Sequence, residues 1–442
     1  MATHSGRKGS SLRASNLMRI LDVLGRQGPM SGADIARCTG LAPSTVTNLV
    51  AELGRAGLVE KKLPEPRATG RPLPGRPSAV VALSREVGVA VGVDIGHTKI
   101  QVAVGDSSGE VLSEPWLTRD VDAYRQEVAE VLDLAASLVR RALKAAGIPP
   151  DQVRGIAIGV PAPVNKETHL MASDRILPTW RGLSKPVTVT MADLLERYLG
   201  RRLPVFLDND ANLCLLAEVA RGVARGREHV MFVKASVGIG LALFLDGKLY
   251  RGSTGAAGQF GHTPVAVHLG DGAAGAAAGT PPRCSTCGRV GCLEVFASAR
   301  ALVEQLRPLP SLTFGRDFTP ADVVGMTIEE VDLALGGKRA EAQAAIREAG
   351  RQLGIAIGGL INVLDPQMVV IGGVLARAGD LILEPIRNEV RERAVRVRPE
   401  QVEVVESQLR ERAEVHGGIA LALAETSALR SLSVPQPPRP AR

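Results

Sequence analysis

Aromatic side chains are scarce in this chain: two Trp, three Tyr and seven Phe in 442 residues. So few rings leave little surface for stacking unpaired bases, which argues against single-stranded nucleic acid and RNA as partners. Cysteines number five, an odd count in a long chain, and that excludes a disulfide framework. No unbroken apolar run approaches the ~20 residues of a membrane span. The opening "MATHSGRKGSSLRASN" lacks the apolar core of a signal peptide. The expectation is a cytoplasmic protein without membrane association. The length exceeds what one hydrophobic core serves, so at least two domains are expected.

Acidic residues are thin at one end only. Residues 1–90 carry thirteen Lys or Arg against six Asp or Glu, and the rest carry forty against forty. The whole net charge of +7 therefore sits in the first fifth of the chain. That is the electrostatic footprint of a nucleic-acid-binding head on a neutral body, the alternative being a solvated basic face.

The pattern of the head agrees. Leu17, Ile20, Leu21 and Leu24 fall on one face of a helix that ends at Gly25 and "GP". Ser31 caps a second, short helix with Ile35 inward, and Gly40 supplies the turn out of it. A third helix starts with Pro43 at a position where its missing N–H costs nothing. It buries Val46, Leu49, Val50 and Leu53 and leaves Ser44, Thr45, Thr47 and Asn48 outside. Two helices joined by a glycine turn, the second presenting small polar groups, describe a helix-turn-helix able to reach base edges. A small helical bundle used for protein contact is the competing reading. In "LVEKKLPEPRATGRPLPGRPSAVVAL" two short strands flank a Pro/Gly/Arg-rich loop, the pattern of a wing. Arg71 and Arg76 sit on stiff tips that suit a minor groove, with Arg76 favoured because it directly precedes the returning strand.

From residue 88 the chain turns into alternating strands and helices, an α/β pattern. "VGVAVGVDIGHTKIQVAVGDSSGEVL" reads as three strands with tight turns, followed by a helix across 122–146. "PVFLDNDANLCLLAEVARG" is a strand running straight into a helix. "HVMFVKASVGIGLALFLDGKLY" is a second glycine hairpin, and "AGRQLGIAIGGLINVLDPQMVVIGGVLA" is a long helix, a buried strand and a glycine pair. Two glycine hairpins, one early in each half, suggest two similar lobes around a cleft. Cys284, Cys287 and Cys292 in "CSTCGRVGCLE" are three thiolates spaced for a tetrahedral zinc that needs one more ligand. Cys38 and Cys214 fall in helical segments and read as packing residues.

The head together with "DIGHTK", "LDNDAN", "GQFGH" and "CSTCGRVGCLE", in that order, resembles the ROK family of repressors and sugar kinases over nearly all of residues 10–425. The resemblance implies a winged helix-turn-helix at residues 1–87 and an actin-like (ribonuclease H-like), two-lobed α/β body at 88–430. Lobe one covers about 88–207, lobe two about 208–410, and a closing helix 411–430. The tail 431–442, Pro-rich, is expected to be disordered. The resemblance also implies His262 as the fourth ligand of a structural Zn2+, with His268 an outside candidate beyond the low-complexity stretch "GDGAAGAAAGTPPR". The family more often spaces its first pair as Cys-x-Cys, which makes Cys284 the least regular member.

By the same carry-over Asn209, Asp210, Gln259, His262 and Glu294 line a sugar pocket, and Asp210 matches the catalytic base of the kinases. Gln259 stands where the family usually has glutamate; it still offers a donor and an acceptor. "SDRILPTW" offers no asparagine in the register the kinases use. The phosphate grip is eroded. His97 replaces a glycine whose positive φ would let backbone approach phosphate. Ser236, Val237, Leu241 and Ala242 replace residues of the second glycine loop, with Leu241 expected to fill phosphate space. The expectation is a DNA-binding transcriptional regulator with double-stranded DNA and a sugar effector as partners, acting as a homodimer or homotetramer and not an enzyme; an ATP-dependent sugar kinase with an accessory head is the alternative.

Overall fold

Two five-stranded sheets with the same strand plan make up the body. The computed structural model describes residues 16–426 except for 18, 22, 25–27, 56–57, 63–79, 85–87, 98, 108, 113–116, 122, 124–125, 166, 172–176, 181–184, 266–281, 307–338 and 396–401. Arg71, Arg76, His268 and the tail 431–442 fall outside the described residues.

In the head, helical residues between 16 and 24 bring Ile20, Leu21 and Leu24 inward. Helix α1 (Gly32–Thr39) begins where the Ser31 hydroxyl accepts from the Asp34 N–H and ends at Gly40, whose φ of 66° needs no Cβ. Helix α2 (Pro43–Arg55) buries Val46, Leu49, Val50 and Leu53 against Ile35 and the first helix. Each such side chain contributes roughly 1.5–3 kcal/mol by leaving water. Strands β1 (Val59–Lys62) and β2 (Val80–Leu83) pair antiparallel beside them. Ser44, Thr47 and Asn48 are exposed on α2, whereas Thr45 is half-buried, next to the stripe residue Val46. Cys38 is exposed rather than packed.

Sheet one contains β3 (Val89–Ile95), β4 (Lys99–Gly105), β5 (Leu117–Asp120), β6 (Val153–Val160) and β7 (Val205–Asn209), ordered β5-β4-β3-β6-β7. Sheet two contains β8 (Val230–Ala235), β9 (Ile239–Leu245), β10 (Lys248–Tyr250), β11 (Met368–Gly372) and β12 (Glu403–Glu406), ordered β10-β9-β8-β11-β12. In each, an antiparallel meander leads into three parallel strands. The central strands are buried on both faces and read as apolar runs for that reason.

Helices α3 (Val128–Ala145) and α4 (Val187–Leu199) share one core with sheet one. On sheet two, α6 (Glu294–Ala297), α7 (Ala299–Leu306), α8 (Arg339–Leu364) and α9 (Asp380–Arg393) do the same. Helices α5 (Asp210–Arg221) and α10 (Ala413–Thr426) lie between the sheets: α5 packs on Phe232 and Phe244, and α10 on Ala90, Ala103 and Ala157. The small residues let α10 come close. At Gly417 a Cβ would run into the Leu213 carbonyl.

Two expectations are corrected here. The third strand is Leu117–Asp120, not the "EVL" segment, which makes a single bridge from Val111 to Gly105. Gly109, at φ 76°, closes a tight turn on the Asp106 carbonyl and brings Val111 back beside Gly105. The helix expected across 122–146 starts at Val128, because the Ala123 N–H is held by the His97 carbonyl.

Among the described residues, head and body meet at Ser84 and at Gly28. The Ser107 hydroxyl donates to the Ser84 carbonyl just past β2 (2.5 Å). The Arg225 guanidinium, beyond the end of α5, lies against Gly28.

Candidate functional site

The two glycine hairpins face one cleft, which encloses about 1420 Å³ with its open mouth included. The β3–β4 turn contributes Asp94, Gly96, His97 and Lys99; the β8–β9 turn contributes Lys234, Ser236, Val237, Gly238, Ile239 and Gly240. Asn209, Asp210, Gln259, His262, Thr286, Glu294 and Glu414 complete the walls relevant to chemistry. Every sequence-named sugar residue therefore lies on this one surface.

At its floor, the Lys234 ammonium is 2.7 Å from Asp210 Oδ2 and 2.7 Å from Glu414 Oε1. All three side chains are at most 15% exposed. Burial pulls the Lys234 pKa down, but Asp210 and Glu414 outweigh it and hold it well above the ordinary value. Asp94 lies opposite, 4% exposed, with Oδ1 lacking any protein hydrogen-bond partner. Burial first, then the negative charge of Glu414, pushes its carboxyl up to about 8, so Asp94 is protonated at neutral pH. Sequence reasoning did not single out Lys234 or Glu414. The signal was present: a lysine inside the apolar run "VMFVKASVG" must find a buried counter-charge.

Asp210 opens α5, and its Oδ1 accepts from the Ala211 N–H (2.8 Å) while Oδ2 takes Lys234. Asn209 is the cap of that helix: Oδ1 accepts from Ala211 N–H, and Nδ2 donates to the Val160 and Ala162 carbonyls. Behind them, Asp208 takes the Arg251 guanidinium at 2.6 and 2.8 Å and the Asn212 amide at 2.7 Å. Arg251 thus fastens the chain leading to Gln259 onto the Asn209–Asp210 corner.

On the opposite wall, Glu294 is held at both oxygens. Oε1 accepts from the Thr286 hydroxyl (2.9 Å) and Oε2 from the Ile239 N–H (3.3 Å). Gly238 leaves the room this needs, since a Cβ there would sit 2.6 Å from Oε2. Next to it, the ligand atoms of His262, Cys284, Cys287 and Cys292 all lie within 4.8 Å of one another. Cys284 Sγ is 3.6 Å from His262 Nδ1, and Cys287 Sγ is 3.5 Å from Cys292 Sγ. A tetrahedral ion with bonds of about 2.3 Å to sulfur sets sulfurs about 3.7 Å apart, so the cluster fits a metal such as zinc. Burial, then the neighbouring Cys287, pushes the Cys292 thiol up to about 12. Three sulfurs this close ionise together only around a shared cation.

Two readings of the phosphate loops are corrected. His97 does not adopt a positive φ, so what it changes at the turn is volume and chemistry rather than backbone freedom. Leu241 does not line the cleft: it is 6% exposed in the core of sheet two. Gly240, on the other face of β9, lies beside Ala211 and the cleft.

Among known proteins, residues 90–425 match the ROK family model and residues 18–68 the MarR family model. A xylose repressor from Caldicellulosiruptor bescii is 28% identical, the match covering 94% of this chain and 96% of that protein. The crystal structure of a ROK family transcriptional regulator, homolog of the E. coli MLC protein, superposes with a TM-score of 0.67 at 25% identity, covering 96% of this chain and 99% of the other. A ROK family glucokinase from Streptomyces griseus in complex with glucose and AMPPNP gives 0.57 at 26% identity, covering 76% of this chain and 99% of its own. With a MarR-type winged helix in front of an actin-like body, this chain belongs to the ROK family.

Proposed function

We propose that this protein is a sugar-responsive, DNA-binding transcriptional repressor whose kinase-like cleft binds carbohydrate without phosphorylating it. The observation that carries this reading is the Lys234–Asp210 ion pair: the carboxylate that matches the kinases' base is already bound to a buried ammonium. A base must be free to accept the hydroxyl proton. Further support comes from coverage, since the repressor match includes the head and the glucokinase match stops at about three quarters of the chain.

In this reading Ser44, Thr45, Thr47 and Asn48 face the major groove, with Arg71 and Arg76 in the wing. Thr47 donates back to the Pro43 carbonyl (2.9 Å), so Ser44 and Asn48 carry most of the base reading. The sugar lies between Asn209–Asp210 and the wall of Gln259, His262 and Glu294. Zinc is held by His262, Cys284, Cys287 and Cys292, where it supplies a structural pin that keeps Gln259 and Glu294 on one wall. A homodimer or homotetramer presents two heads to half-sites about one helical turn apart. Signal passes along α5, about 18 Å long, from Asp210 in the cleft to Arg225 at Gly28 in the head. Sugar acts by binding one arrangement of lobes better than the other.

The test is a mobility shift on DNA upstream of the protein's own gene, with and without a panel of sugars. Binding that one sugar releases is the expected result. Absence of any shift at ~50 mM salt, where phosphate contacts are strongest, would remove the reading.

A further inference from the structure

Asp94 and Lys234 occupy the same position in the two duplicated sheets. Each is the penultimate residue of the central strand, Asp94 facing Gln101 and Gly159, Lys234 facing Gly240 and Gly372. They converge on one floor with Asp210 and Glu414. This floor holds three carboxyl groups, and two of their oxygens, Asp94 Oδ1 and Glu414 Oε2, are buried with no protein hydrogen-bond partner. Asp94 and Glu414 are only 4% and 9% exposed. An acidic floor of this kind needs a positive charge, and the charge that bridges it is the Lys234 ammonium.

We propose that Lys234 is the resident cation of the cleft, occupying a carboxylate-lined position that would otherwise take a divalent metal ion, so that carbohydrate is received without one. The inference rests on the non-phosphorylating reading above and deepens it. Lys234 comes from sheet two, whereas Asp94 belongs to sheet one and Glu414 to α10, packed on that sheet. The ammonium therefore also joins the two lobes at the base of the cleft. Methionine at this position would keep the length of the side chain and remove its charge. The Asp210 and Glu414 carboxylates, left without their cation, and the Asp94 carboxyl, which gives up its proton to an incoming cation, then form an oxygen-rich pocket suited to a hard divalent ion.

The experiment is Mn2+ binding by electron paramagnetic resonance, using zinc-loaded full-length protein without DNA or sugar. Wild type is expected to leave the free Mn2+ signal unchanged at millimolar ion. Lys234→Met is expected to bind one Mn2+ per chain, and the double variant Lys234→Met/Glu414→Gln to lose it. If the methionine variant does not fold, Lys234→Ala serves in its place, since it vacates the position between Asp210 and Glu414. No gain of Mn2+ in the folded Lys234 variant overturns the proposal. So does wild-type binding that Glu414→Gln abolishes, a result that needs only wild type and that variant. Neither readout involves DNA, so failure of the regulatory reading in the mobility shift leaves the ion count standing on its own.

Discussion

The β3–β4 and β8–β9 hairpins are built alike but carry an acid and a base at the same position. Each follows the same order in its sheet, each turns on three residues, and each points its penultimate residue at the cleft. In sheet one that residue is an acid whose nearest cations only weakly offset burial, so it keeps its proton to about 8. In sheet two it is a base that bridges two carboxylates at 2.7 Å. A duplicated scaffold fixes where side chains point, and the side chains alone decide whether the cleft does chemistry.

The comparison breaks most sharply by removing one member at a time. Lys234→Ala strands two buried carboxylates, and loss of about 3–5 kcal/mol of unfolding free energy is expected. Asp94→Asn removes the cost of protonating a carboxyl that is ionised in the unfolded chain, so at pH 7 it should raise stability rather than lower it. Urea unfolding measures both, and equal losses would contradict the asymmetry.

The metal cluster comes next. Cys287→Ser should lower bound zinc from one per chain to none by elemental analysis and release Glu294 from Thr286, since the loop loses its pin. Weaker sugar binding at unchanged DNA binding is the expected pairing of effects. In the head, Asn48→Ala should cost about 1–3 kcal/mol in operator affinity and relax one position of the site, read by fluorescence anisotropy. Thr47→Ala should cost less, its hydroxyl being turned to Pro43.

The comparison also has a pH dependence. Asp94 loses its proton near pH 4 when unfolded and near 8 when folded. Its contribution is thus complete below about pH 4 and is lost as pH rises to about 8. His416 behaves oppositely: burial, then Arg221 and Arg412, lower it to about 4, so its contribution is lost as pH falls from about 6.5 to 4. Asp94→Asn should remove the decline in stability between about pH 4 and 8 and leave the His416 rise from about pH 4 to 6.5 in place.

Much of this was legible in the chain. The caps at Ser31 and Gly40, the stripe of α2, both glycine hairpins and the three-cysteine spacing follow local rules of spacing and turn chemistry, whereas His262 is reached only through the family resemblance. What escaped depends on contacts between distant segments. Val111 and Leu117 are equally strand-prone, and only the turn at Gly109 and the register on β4 choose between them. Leu241 reads as a cleft residue from sequence because the glycine-loop pattern does not say which face of β9 turns inward. Lys234 finds Glu414 180 positions away, a pairing that no spacing rule reveals.

One measurement bears most directly on the central claim: titrate a sugar that releases operator DNA into the protein with and without Mg-ATP, following release and ADP together. The account predicts release at the same sugar concentration in both cases and no ADP. Sugar-dependent ADP formation that disappears in Asp210→Asn would contradict it, since Asp210 would then be acting as a base despite Lys234.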